Sequence, residues 1–124
     1  MEIALWALQV ILALAIGGAG VMKLLKSKEE LAPRMTYVTS FTATQVKLIG
    51  AVEVAAGLGI ILPALTGIAP ILTPIAAVGI VLIMIGAAIT HVVRKEPALI
   101  VPNIVLGAAA AFVAWGRFGE YAIA

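Results

Sequence analysis

"KLIGAVEVAAGLGIILP", Lys47 to Pro63, decides how this chain is read. It is an almost unbroken run of apolar and small residues with one carboxylate, Glu53, near its centre and one ammonium, Lys47, at its entrance. Its length approaches the roughly 20 apolar residues that an α-helix needs to cross the hydrocarbon core of a bilayer. The rest of the sequence repeats the pattern. Four such windows fit, at residues 3–22, 44–63, 74–93 and 98–117 of the 124. A hydrophobic content of 64%, a charged content of 11% and a mean hydropathy of +1.21 lie far outside the soluble globular range. The expected fold is all-α, an integral membrane four-helix bundle running up-down-up-down, as a single transmembrane domain over residues 1–124.

With so little chain outside the spans, any chemistry must lie between helices or on short connections. The first apolar run starts at Ile3 with no basic stretch before it and is long enough to span, so it reads as a retained helix. Cysteine is absent, which excludes disulfides, thiol exchange and Cys-ligated metal or iron–sulfur centres. The single histidine argues against a bis-His haem, and no metal site is expected. The net charge of +2 and pI near 9.2 come from residues that flank the spans, so they point to a membrane surface and not to nucleic acid.

Those flanking charges orient the bundle. The first connection holds Lys23, Lys26, Lys28 and Arg34, the third holds Arg94 and Lys95, and the second, "PALTGIAP", holds none. The first and third connections share one side, which the positive-inside tendency makes cytoplasmic, so both termini are expected outside. Glu2 and the rings of Trp6, Trp115 and Phe118 agree; Arg117 is the one basic residue against it.

Local signals fit these boundaries. Thr42 with Gln45 forms a capping box for the second helix, and Pro63 with Thr66-Gly67 its stop. Thr73-Pro74 reads as N-cap and first-turn proline of the third helix, and Pro102 falls in the first turns of the fourth. Ser27-x-x-Glu30 with Tyr37 and Phe41 suggests a short helix or folded segment at the interface, with a disordered loop as the alternative. "IGGAGVMK" and "IGAAITHV" echo each other at the ends of the first and third helices, through either duplication or shared Gly/Ala composition.

On a helix, Glu53 shares its stripe with Ile49, Gly50, Ala56, Gly57 and Ile60. Small residues allow close helix approach in lipid, so Glu53 faces protein. A carboxylate at that depth must protonate or find a partner. Side chains lean toward the N-terminus of their own helix, which tilts Glu53 and Asn103 toward the cytoplasmic side and Lys23 and His91 back into the membrane. Glu53, His91, Lys23 and Asn103 are therefore expected to converge in the cytoplasmic third of the bundle, with Thr90 beside them, as a polar pocket. Each has a plainer reading. Lys23, Lys47 and Arg94 sit at helix ends where interfacial anchoring is ordinary; His91 can be interfacial; Asn103 can satisfy backbone opened by Pro102; Thr90 can bond within its helix. Lys47 lies roughly opposite Glu53 around the helix and is expected to snorkel.

The stretch from Lys47 through Pro97, followed by "NIVLGAAAAFVAWGRF", resembles the DoxX-like family of small four-helix bacterial membrane proteins over nearly the whole chain. The features are Gly50-x-x-Glu53, the "ILP" ending of the second helix, "GAAITH" followed by basic residues, "WGRF" closing the fourth helix, and "GGAGVMKLL" ending the first. The resemblance implies a bacterial inner-membrane protein. The family takes its name from a subunit of thiosulfate:quinone oxidoreductase, and other relatives belong to complexes concerned with oxidative stress. It thus implies an accessory, quinone- or lipid-associated subunit of a redox or stress-related complex, with membrane lipid, a redox subunit or a second copy as partners. The absence of Cys keeps any thiol-based role from carrying over. Two other readings stay open: a small proton-coupled transporter built on a membrane glutamate, and a chaperone-like module that recognises another membrane protein through glycine-rich faces.

Overall fold

In the computed structural model, which describes residues 1–123, four helices are long and apolar enough to cross a membrane. They are α1 (Glu2–Leu25), α2 (Ala43–Thr66), α3 (Leu72–Val93) and α4 (Ile100–Phe118), the last continuing from a 3-10 turn at Pro97–Leu99. There is no strand among the described residues. Each span exceeds its expected window by one to three residues at most ends, because capping turns extend the helices beyond the apolar core.

Both capping boxes form. Thr42 Oγ1 accepts from Gln45 N and Gln45 Oε1 accepts from Thr42 N, starting α2, while Ser27 and Glu30 exchange the same pair and start a one-turn helix at Lys28–Leu31. Gly67 closes α2 in the left-handed region at φ 71°, which glycine adopts without a Cβ penalty. The third helix departs from expectation. Leu72 N donates to Ala69 O and Thr73 N to Pro70 O, so the turn itself satisfies the first donors and α3 begins before Thr73. Thr73 is then not a cap; its hydroxyl is buried with no partner among the described residues.

The first and second helices pack backbone to backbone. A Cβ on Gly20 would lie 2.6 Å from Gly50 O, and one on Gly57 would lie 3.0 Å from Gly17 Cα. Close approach of this kind is how helices associate where water supplies no hydrophobic drive. α1 widens into a π-helical turn at Ala13–Gly17, at the level of the Gly17–Gly57 crossing. Around the bundle, α1 packs on α2 and α4, and α3 packs on α2 and α4. Leu5, Leu12, Ile60, Ala77, Ile80, Ala110 and Val113 form a core along the half of the bundle that holds the termini.

Candidate functional site

Toward the end away from the termini, a cavity of about 580 Å³ is lined by all four helices. Its walls are apolar, from residues such as Ile16, Ile49, Val52, Ile83, Met84 and Leu106. Its polar groups gather at one end: Lys23, Glu53, Tyr37, His91, Thr90 and Asn103. Leu48 and Val52 also line it and are exposed on the flank of α2, so it opens sideways onto the surface that faces lipid.

The glycine crossing sets the central contact. With Gly20 against Gly50, Lys23 comes one turn later onto the face of α1 that meets Glu53, and Lys23 Nζ donates to Glu53 Oε1 at 2.6 Å. Lys23 is 1% exposed and Glu53 5%, so this is a buried ion pair and neither group reaches the interface. The Tyr37 ring lies beneath the ammonium, with its centroid 5.3 Å from Nζ, and adds a cation–π contact. Glu53 Oε2 accepts no hydrogen bond among the described residues and is the free oxygen of the pair.

His91 meets the edge of the same tyrosine, ring centroids 5.8 Å apart. Its position follows from how α3 ends. Lys95 adopts φ 58°, Glu96 N donates to His91 O and Lys95 N to Val92 O, a Schellman closure with lysine where glycine is usual. The turn brings Glu96 back against its own helix. There Oε1 accepts from Arg94 Nε at 2.8 Å and lies 3.2 Å from His91 Nδ1, and Oε2 accepts from Thr36 Oγ1 at 3.4 Å. Arg94 Nη1 also donates to Thr39 Oγ1 and Ser40 Oγ. The connection after α3 thus clamps the 3-10 segment Thr36–Ser40 over the polar end of the cavity, with Tyr37 and Phe41 pointing into it. The Arg94 guanidinium, then His91, hold the Glu96 carboxyl below the usual carboxylate range. Burial pushes the Tyr37 phenol up, only partly offset by the Lys23 ammonium.

Of the residues singled out in the sequence, Lys23, Glu53 and His91 thus gather around Tyr37. Thr90 and Asn103 line the cavity but are bonded within their own helices, Thr90 Oγ1 to Gly86 O at 2.9 Å and Asn103 Nδ2 to Leu99 O at 3.0 Å. Neither bonds to the ion pair. Lys47 does not simply extend to water: Nζ donates to Leu24 O and Lys26 O, capping the end of α1, where a cation suits the helix dipole. Arg94 is a clamp residue, not only an anchor.

Sequence reasoning missed Glu96, because its role depends on a turn that reverses it onto His91. It also missed a second polar cluster at the opposite end. Arg117, 2% exposed, donates from Nε to Gln9 Oε1 at 2.8 Å and from Nη1 to Glu2 and to Tyr121 O. Gln9 Nε2 in turn donates to Ile60 O at 2.8 Å. The signal was present: Arg117 was the one basic residue on the acidic side, and a buried charge needs partners. Among the described residues no cluster of His, Cys, Asp and Glu has the composition of a metal site.

A family model described as the DoxX-like family matches residues 7–113 of the chain. No curated protein and no solved structure matches it.

Proposed function

The chain belongs to the DoxX-like family of membrane proteins, and from that premise we propose that it binds an amphipathic small molecule of the bilayer, quinone- or lipid-like, as an accessory subunit of a redox or stress-related membrane complex. One observation carries the ligand class: an apolar cavity of about 580 Å³ that opens toward lipid and has its polar groups gathered at one clamped end. That volume is in the range of small-molecule sites, and the layout suits a ligand whose tail enters sideways and whose head stops at Lys23–Glu53. The redox or stress setting rests on the family resemblance.

In this reading the clamped end faces the cytoplasm of a bacterial cell and the termini lie outside. Lys26, Lys28, Arg34, Arg94 and Lys95 all sit toward that end. Arg117 no longer counts against it, because it is buried and paired with Glu2. The Lys23 ion pair also weighs against a proton-coupled exporter, whose carboxylate must be free to exchange its proton.

Organic extraction of protein purified in native lipid, followed by mass spectrometry, tests the proposal. Wild type is expected to retain one hydrophobic species near stoichiometry. Ala87→Phe, which fills the cavity wall, is expected to lose it. Equal retention by both proteins, or none by wild type, overturns the proposal.

A further inference from the structure

The polar end of the cavity specifies what kind of head it accepts. We infer that the ligand presents an uncharged hydrogen-bond donor, an alcohol or phenol hydroxyl, to Glu53. The inference rests on the cavity reading above and deepens it.

Lys23 gives one of its three N–H groups to Glu53 Oε1 and faces the Tyr37 ring, so its charge is already met by the carboxylate. It is not available as a free cation for a carboxylate or phosphate. Glu53 uses only one oxygen; Oε2 accepts nothing among the described residues, and Glu53 lines the cavity. His91 points the same way. Its Nδ1 faces a Glu96 carboxylate oxygen at 3.2 Å and must carry a proton to bond there, so in the neutral imidazole Nε2 is left as an acceptor. Nε2 also has no partner among the described residues, and His91 lines the cavity.

Two acceptors at this end, Glu53 Oε2 and His91 Nε2, are therefore without partners, beside an ion pair whose charges cancel. An anionic head meets the free carboxylate oxygen and is repelled. A head without a donor, such as an ether, leaves Oε2 unpartnered. A hydroxyl donates to Oε2 and gains a charge-assisted hydrogen bond in a dry setting, the strongest kind available to a neutral head. Asn103, bonded by Nδ2 to Leu99 O, leaves its carbonyl oxygen as a further acceptor on the α4 side.

A matched pair of probes isolates the donor: 4-dodecylphenol and its methyl ether, 4-dodecylanisole, which keeps the size and the oxygen but loses the proton. Their binding to the full chain in nanodiscs is measured by native mass spectrometry. Wild type is expected to hold the phenol at least about tenfold more tightly, a difference of ~1.4 kcal/mol. The double variant Lys23→Met/Glu53→Leu removes the acceptor without stranding a buried charge, and its preference is expected to fall to about onefold. Equal binding of the two probes to wild type overturns the donor inference and leaves the cavity reading standing. Failure of both probes to bind wild type overturns the cavity reading and this inference with it. A preference that survives in the double variant overturns the assignment to Glu53.

Discussion

Lys23 and Glu53, thirty positions apart, meet at 2.6 Å because Gly20 and Gly50 let the backbones of α1 and α2 touch one turn away. The ion pair and the helix crossing form one unit, and each constrains how the other responds to mutation.

Removing one partner is expected to cost more than removing both. Glu53→Leu strands a buried ammonium and should lower stability by about 3–5 kcal/mol, whereas Lys23→Met/Glu53→Leu should recover most of the loss. Thermal unfolding in detergent checks this, and a double variant no more stable than the single one would show that the pair is not the source of the cost.

The glycines should separate by what a methyl group would meet. Gly20→Ala forces a Cβ to within 2.6 Å of Gly50 O and is expected to cost about 1–3 kcal/mol and to disturb the ion pair. Gly18→Ala, two residues earlier with nothing within 4 Å, is expected to leave the melting temperature unchanged or raised.

At the opposite end the asymmetry lies between partners. The Arg117 side chain is 1% exposed and that of Glu2 is 56% exposed. Arg117→Met leaves Gln9 Oε1 unpaired in the core and should cost about 1–3 kcal/mol. Glu2→Gln removes only the solvent-facing half of the contact and should cost less than about 1 kcal/mol. Equal losses on unfolding would contradict this division.

Acid should release the clamp over the cavity. Glu96 titrates below the ordinary carboxylate value in the folded protein, so its contribution is present above the unfolded value and is lost as pH falls through the lower folded one. Backbone amides of Thr36–Ser40 are therefore expected to stay protected near neutral pH and to lose protection below about pH 4, measured by hydrogen exchange corrected for intrinsic rates. Glu96→Gln should show the unclamped exchange at neutral pH, and protection unchanged in that variant would remove Glu96 from the clamp.

The absence of cysteine makes the proposed orientation simple to read. A cysteine introduced by Ser27→Cys should react with a membrane-impermeant maleimide only after the cells are opened, and one introduced by Gly67→Cys should react in intact cells. The reverse pattern would invert the topology.

The four spans, both capping boxes and the Gly67 stop were legible because each depends on residues within a few positions of one another. Neighbourhood was partly legible: helix direction and side-chain tilt brought Lys23, Glu53 and His91 toward one another, whereas Asn103 lines the cavity without bonding to them. Partners were harder. The small residues around Glu53 marked a protein-facing stripe, but nothing local distinguished Lys23 as its partner from Lys23 as an interfacial anchor. Thr73 misled because a cap is only one way to satisfy a helix start, and here carbonyls of the preceding turn accept from the first amides.

The sequence by itself thus determined an all-α bundle of four membrane-spanning helices and most of its helix ends, since hydropathy and capping are properties of contiguous chain. The tertiary structure alone decided which charges pair, that a cavity remains between the four helices, and that Arg94 and Glu96 clamp a distant segment across it. These depend on crossing points and turn geometry, where a shift of a few ångströms exchanges one partner for another without changing the local pattern from which helices are read.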